Sequence, residues 1–131
     1  MIHYLEVAEV IAIQDQMIDY FGGEYGLRGE QGRALVESAL ARPLNRAAYE
    51  DADLLGQAAA LFYGLAKNHG FLDGNKRIAV AATNTFLLMN GYELTGDNET
   101  LVEFTIGCGY EGWTEERVEE FVRLRAAASR E

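Results

Sequence analysis

Residues 69–77 read His-Gly-Phe-Leu-Asp-Gly-Asn-Lys-Arg and join two apolar stretches with helical spacing. In the stretch before them, Leu61 and Leu65 lie on one helical face, and His69 follows four residues later at the end of that face. Another helix is predicted to begin after Gly74. Its first turn would bring unpaired backbone N–H groups, the positive end of the helix dipole and the cations Lys76 and Arg77 to one small volume. The run therefore predicts a site for a polyphosphate.

Helical spacing recurs along the chain, and Pro43 is the single proline. The second helix is predicted to stop before Pro43, because proline disfavours helix in the residue that precedes it. The fourth is apolar nearly all round, as is typical of a helix buried at the centre of a domain. The sequence thus predicts an all-α fold of about six helices around a central buried helix. The predicted helices are about residues 6–20, 31–41, 52–68 and 75–89, a fifth capped by Asp97 and a sixth capped by Thr114.

Length and composition limit the protein further. With 131 residues and 49% hydrophobic content, residues 1–131 are predicted to form a single domain. The net charge of −10 disfavours direct nucleic-acid binding. The single cysteine, Cys108, excludes an intramolecular disulfide and agrees with a reducing cytoplasm. No signal peptide and no apolar run of about 18 residues is present, so we expect a soluble, cytoplasmic protein without a membrane segment.

Each polar residue of the run suits one requirement of phosphoryl or nucleotidyl transfer. His69 is the candidate general base toward a protein hydroxyl. Asp73 is a hard oxygen ligand for one coordination position of Mg²⁺. Gly74 permits close approach of the backbone to phosphate, while Asn75, Lys76 and Arg77 offer an amide, a point charge and a planar fork to phosphate oxygens. Phe71 is predicted to point into the core, without a chemical role.

Other interpretations of these residues remain. A histidine at a helix end is often only a capping or surface residue, although the assembled run argues for chemistry. His69 and Asp73 could be two ligands of a zinc hydrolase, but the glycines between them disfavour a continuous helix there. Cys108 could be a nucleophile, yet it has no adjacent base and is better explained as a small buried residue. A P-loop enzyme is excluded, because its phosphate-binding motif is missing.

The run resembles the signature of the Doc toxins of the Fic superfamily, His-x-Phe-x-[Asp/Asn]-[Gly/Ala]-Asn-Lys-Arg. Further similarity extends over most of the chain, at Gly22-Gly23, Gly26-Leu27-Arg28, the segment from Glu37 to Pro43, and Asn90-Gly91-Tyr92. The resemblance implies a Fic-like helical domain that binds ATP and Mg²⁺. In that case His69, Asp73, Lys76 and Arg77 are catalytic, residues 74–77 bind the nucleotide, and Asp73 holds the metal.

Two departures from typical Fic proteins affect the expected reaction. Fic enzymes that transfer AMP carry a second arginine where this chain has Val80, and a glycine where it has Lys76. Doc toxins share both changes and are understood to transfer the γ-phosphoryl group of ATP to a threonine of elongation factor Tu, which blocks translation. The resemblance therefore implies a Doc-type protein kinase. Transfer of AMP remains the enzymatic alternative, and a catalytically silent helical adaptor is the other.

The resemblance also implies how such a toxin is controlled. Some Fic proteins carry an inhibitory helix of their own, but the nearest match here, residues 95–100, has the wrong last residue. The expected partner is a separate Phd-like antitoxin, whose disordered C-terminal segment folds into a groove on the toxin. Residues 42–50, which on their own predict only a loop, are the candidate for the short flap hairpin that holds the target beside His69. The glycine-bearing connections 22–29 and 107–112 are predicted to be ordinary turns.

Overall fold

The structure is a computed structural model that describes residues 1–96, 98–109 and 111–129, with the backbone alone at residues 98, 101, 108 and 109. Strands β1 and β2 pair in antiparallel fashion, with Tyr92 opposite Ala128. Apart from this small sheet and one isolated bridge, the regular structure of the described residues is helical, which confirms the all-α prediction. The elements are α1 (Val7–Phe21), α2 (Gly29–Glu50), α3 (Leu54–Asn68), α4 (Asn75–Met89), β1 (Tyr92–Leu94), α5 (Asn98–Gly109), α6 (Glu115–Arg125) and β2 (Ala126–Ala128).

Helices α3 and α4 share the centre of the fold. Helix α4 packs against α1, α3, α5 and β1, and α3 packs against α2, α4, α5 and α6. The side chains of Phe62, Ile78 and Phe86 are almost fully buried between these elements. The fourth helix is central, as predicted, and it begins and ends at the predicted residues. No helix in the described part of the chain is both long and apolar enough to cross a membrane.

The helix starts and ends follow local side chains in most places. Asp53 caps α3 by accepting the N–H of Gly56, and Thr114 caps α6 as predicted by accepting the N–H of Arg117. The Asp97 cap of α5 lies outside the described residues. At the other end, α5 continues to Gly109, so the turn predicted to start at Gly107 begins later.

Helix α2 is longer than the sequence predicted, because it continues through Pro43 to residue 50. A proline inside a helix removes one backbone hydrogen bond and crowds the preceding turn, at a cost of about 3 kcal/mol. Pro43 is buried in the structure. The prediction that the helix ends before Pro43 is therefore wrong, and other contacts must offset the cost.

Two arginines beside the proline supply such contacts. Arg42 Nε donates to the carbonyl oxygen of Ala60 at 3.2 Å, and Arg46 Nη1 donates to that of Gly56 at 2.9 Å. Both guanidinium groups also pair with the carboxylate of Glu115 on α6. Because these groups are partly shielded from solvent, their bonds to α3 and α6 hold the second half of α2 in place.

The predicted flap is wrong for the same reason. Residues 42–50 form helix, and Arg46 binds near the start of α3, whereas His69 lies at the end of α3. The 13 residues from Gly56 to His69 span about 20 Å at the rise of an α-helix. The part of this segment from Arg46 onward is therefore far from His69, and the segment as a whole is helix and not a hairpin.

Candidate active site

His69 ends helix α3 in the left-handed conformation, with φ 53° and ψ 48°. A non-glycine residue with positive φ is uncommon, and here it turns the chain sharply out of the helix. The carbonyl oxygen of Leu35 on α2 accepts a hydrogen bond from the Asn68 side chain just before the turn, at 2.9 Å. Gly70 just after it is buried against Gly32 of the same helix. The exposed imidazole is thus attached to a backbone that is fixed on both sides.

The next residues are held by a pair of bonds between Phe71 and Asn75. The N–H of Phe71 donates to Asn75 Oδ1, and Asn75 Nδ2 donates to the carbonyl oxygen of Phe71, each at 3.0 Å. The ring of Phe71 is 2% exposed, which confirms the prediction that it points into the core. The side-chain amide of Asn75, which the sequence analysis assigned to a phosphate, is buried and bonds to this loop. Its part is to position the loop.

The connection from Gly22 to Arg28 braces the motif loop, contrary to the prediction of an ordinary turn. The N–H of Arg28 donates to the carbonyl oxygen of Gly70 at 2.9 Å, and the N–H of Leu72 donates to that of Gly26 at 3.0 Å. Between these bonds, Leu27 and Phe71 form an antiparallel bridge. A short piece of β-like pairing therefore fixes the three residues that follow His69.

The brace itself is fixed by Gln14, which is fully buried in α1. Gln14 Nε2 donates to the carbonyl oxygen of Glu24, and Gln14 Oε1 accepts the N–H of Gly26. A glutamine whose amide bonds both ways to a loop backbone defines one conformation of that loop. Hydrogen bonds thus link α1 to the connection, and the connection to the motif loop.

Asp73 is exposed, and its Oδ2 atom accepts the N–H of Glu24 at 3.2 Å. Gly74 follows with φ 77° and forms the N-cap of α4. A Cβ at Gly74 would meet its nearest neighbour only at ordinary contact distance, 3.7 Å, so the left-handed backbone is what requires glycine here. The Asp73 carboxylate thus lies against the backbone of Gly23 and Glu24, one residue before the N-cap of α4.

The start of α4 has the composition of an anion site. Lys76 is half-buried and Arg77 is exposed in the first turn, where backbone N–H groups lack intrahelical acceptors. The guanidinium carbon of Arg77 lies 4.2 Å from the ring centroid of Phe21. Lys76 and Arg77 thus lie at a helix N-terminus within one turn of Asp73, as the sequence predicted.

Although His69 is exposed overall, the partial desolvation of its imidazole lowers its pKa, and the positive charges of Lys76, Arg28 and Lys67 lower it further. Each cation disfavours a second positive charge on the ring. The neutral form therefore dominates at pH 7, which is the form that can accept a proton. Arg28 and Lys67 are the residues of this group that motif reasoning missed. Arg28 Nε also donates to the carbonyl oxygen of Phe71 at 3.0 Å.

We expect Arg28→Gln to raise the pKa of His69, because the substitution removes a nearby positive charge and keeps a side-chain amide for the Phe71 carbonyl. The measurement is an NMR titration of the imidazole protons. The chain has two histidines, so His3 serves as the internal reference. Arg28→Lys keeps the charge and is expected to leave the pKa near the wild-type value. An unchanged pKa in Arg28→Gln would show that Arg28 does not contribute and that burial and the two lysines set the pKa of His69.

The residues at the site fit a magnesium ion held mainly by phosphate and water. Among residues 1–96, 98–109 and 111–129 no group of three His, Cys, Asp or Glu side chains could hold a metal. Asp73 alone supplies a carboxylate, and Mg²⁺ commonly takes one carboxylate together with substrate phosphates. The same finding gives no support to a zinc site at His69 and Asp73. The side chain of Cys108 lies outside the described residues.

A cleft of about 820 Å³ adjoins the anion site. Its walls include Met17 and Phe21 of α1, Val80 and Arg77 of α4, and Ile106 of α5. The walls are therefore largely apolar, with a cation where the cleft meets the motif. This composition suits a peptide segment with apolar side chains and a negative charge better than it suits a nucleic acid.

Comparison with known proteins agrees with this geometry. A model of the Fic/DOC family matches residues 4–87. Toxin Doc of Mycolicibacterium smegmatis is 46% identical over 79 residues, which cover 59% of this chain and 58% of that protein. Protein kinase doc of Escherichia phage P1 is 34% identical over 106 residues, which cover 80% of this chain and 81% of that protein. The chain thus belongs to the Fic/DOC family.

Proposed function

We propose that this protein is the toxin of a toxin-antitoxin system and that it transfers the γ-phosphoryl group of ATP to a hydroxyl of a protein. The observation that carries the proposal is the fixed loop that sets His69 near Lys76 at the cationic start of α4, where positive charge lowers the pKa of the imidazole. The names of the relatives, a toxin and a protein kinase, support it. The resemblance to Doc proteins points to a threonine of elongation factor Tu as the acceptor and to the cytoplasm as the location.

In the proposed reaction the acceptor hydroxyl oxygen attacks the γ-phosphorus, and the bond from that phosphorus to the β–γ bridging oxygen breaks. The hydroxyl proton passes to a ring nitrogen of His69, and ADP leaves. Lys76, Arg77 and the N–H groups of the first turn of α4 bind the phosphate oxygens and stabilise their negative charge. Mg²⁺, when bound, would add positive charge at the phosphates, with Asp73 as its protein ligand.

The choice of phosphorus rests on Val80. In AMP-transferring Fic proteins this position holds an arginine for the distal phosphates, whereas here Val80 is 4% exposed and lines the apolar cleft. An apolar wall cannot neutralise phosphate charge. Lys76 adds a further cation at the first turn of α4, where Fic proteins have glycine. Both changes favour a γ-phosphate at the motif.

The cleft beside Arg77 is the proposed site of a Phd-like antitoxin. An amphipathic segment could place apolar side chains between Met17, Val80 and Ile106 and a carboxylate near Arg77. Such a segment would remove Arg77 from phosphate binding. Inhibition would then follow from occupancy of the cleft.

We expect label to enter elongation factor Tu from γ-labelled ATP and not from α-labelled ATP, when the purified protein is incubated with Mg²⁺ and either nucleotide. The physical reason is that Val80 leaves the distal phosphates of a Fic-oriented nucleotide without a cation. Mass spectrometry of the acceptor should show a phosphoryl group and no AMP.

Label from the α position would contradict the proposal in favour of AMP transfer. If an intact, folded preparation transfers neither label, while a bacterial lysate offers no other acceptor, the adaptor interpretation is right. The control is His69→Asn, which replaces the base by a side chain that cannot take the proton.

A further inference from the structure

Arg77 stacks on an aromatic ring that the motif itself does not contain. Its guanidinium carbon lies 4.2 Å from the ring centroid of Phe21, well within the distance of a cation–π interaction. Phe21 is the last residue of α1, and Arg77 is in the first turn of α4. Both side chains line the same cleft. The contact therefore joins two elements at the boundary between the cleft and the anion site.

Burial in the core does not explain the position of Phe21. Its ring is 52% exposed, although a phenylalanine at a helix end would normally turn toward the core. Tyr20 packs edge-on against it with centroids 4.8 Å apart. Gly22, with φ 83°, ends the helix directly after it, and the N–H of Gly22 donates to the carbonyl oxygen of Ile18 at 2.8 Å. The backbone thus presents the ring at the surface in a fixed position.

The chain carries 21 acidic residues, and most of the arginines that the structure describes pair with a carboxylate, whereas Arg77 stacks on a ring, as Arg117 does on Trp113. Arg42, Arg46 and Arg123 each pair with carboxylates. Within the described residues Arg77 has no carboxylate within ion-pair distance. A carboxylate would occupy its N–H donors, whereas a ring contacts only the face of the guanidinium group and leaves the donors at its edge available.

We propose that Phe21 is the positioning residue for Arg77, holding its guanidinium plane at the start of α4 with its donors available to phosphate. This inference rests on the proposed function, because it assumes that Arg77 binds a phosphate of ATP. A held side chain loses less conformational entropy on binding than a mobile one. Phe21 acts through Arg77 and does not contact the phosphate.

The first test measures the affinity for Mg·ATP by calorimetry. Phe21→Leu should weaken it by about two- to fivefold, as expected for loss of an exposed cation–π contact. Phe21→Tyr keeps a ring and should bind like the wild type. In an Arg77→Ala background Phe21→Leu should have no further effect, because the group that it positions is gone. Tyr49→Leu, an exposed aromatic residue at the far end of α2, is the control for a general loss of surface aromatic area.

The second test needs no nucleotide. In NMR spectra of the wild type the δ protons of Arg77 should be shifted upfield by the ring current of Phe21, and the shift should disappear in Phe21→Leu and persist in Phe21→Tyr. Absence of the shift in the wild type overturns the inference. ATP affinity that is equal in wild type and Phe21→Leu also overturns it, while the proposed function stands. A wild type that shows the shift and binds no ATP overturns the proposed function and this inference with it.

Discussion

His69→Ala is expected to abolish growth arrest when the protein is induced in bacteria, and to lower the rate of label transfer by about 10²- to 10⁴-fold, the usual contribution of a general base. The imidazole is exposed and contacts little of the core, so the fold should remain. We expect the free energy of unfolding to change by less than about 1 kcal/mol, since both residues must adopt the same left-handed conformation. Far-UV circular dichroism and urea unfolding check this point.

A second variant separates chemistry from conformation at this position. Asparagine tolerates the left-handed backbone that His69 adopts, with φ 53°, and offers a polar group, but it cannot accept the hydroxyl proton. His69→Asn should therefore be as inactive as His69→Ala and at least as stable. Full activity in the asparagine variant would mean that His69 shapes the turn and that another group takes the proton.

The candidate site could be predicted from sequence to the extent that its residues are adjacent in the chain. His69, Asp73, Lys76 and Arg77 lie within one turn of a helix end, so spacing alone brings them to one side of the loop. The start of α4 was predictable because Asp73-Gly74, a pair typical of turns, comes directly before it. Sequence patterns predict this part of the site because contacts between neighbouring residues determine its conformation.

The residues that the motif analysis missed lie about 50 residues away in sequence. Glu24 binds Asp73, Arg28 binds Gly70 and Phe71, and Phe21 stacks on Arg77. No periodicity or spacing rule relates such pairs, because they are created by the packing of α1 and the connection after it against α4. A connection that contains several glycines has the same sequence pattern whether it is an ordinary turn or holds a site in place.

The sequence could not give the length of α2 or the hydrogen-bond partner of Asn75, for related reasons. The cost of Pro43 in a helix is local and can be predicted from the sequence. The hydrogen bonds of Arg42 and Arg46 to α3 that offset it depend on tertiary packing and cannot. Asn75 was assigned by residue type to phosphate, because its amide can donate. Which partner it binds depends on the backbone of Phe71, and that backbone is set by the turn at His69.

The contact between Gly32 and Gly70 yields the other large expected effect. Gly32 lies inside α2, and a Cβ there would overlap the carbonyl oxygen of Gly70, the residue next to His69. Helix propensity alone predicts that Gly32→Ala gains up to about 1 kcal/mol. Overlap with a backbone atom costs about 1–3 kcal/mol or more, because backbone cannot rotate away. We expect the cost of the overlap to exceed the gain in helix propensity, so the variant should be less stable than the wild type in urea unfolding.

In Gly32→Ala we expect the loss of transfer rate, expressed as a free energy, to exceed the loss in the free energy of unfolding. To relieve the overlap the Gly70 carbonyl must shift by on the order of 1 Å, and His69 shifts with it, which can cost about 10²-fold in rate. Label transfer at saturating Mg·ATP measures this loss, and the NMR resonances of His69 should move while those of His3 stay in place. Ser38→Ala, at an exposed position of the same helix, is the matched control and should match the wild type in both assays. A stable, fully active Gly32→Ala protein would show that α2 can move away from the loop, and that the close approach of the two glycines does not hold His69 in place.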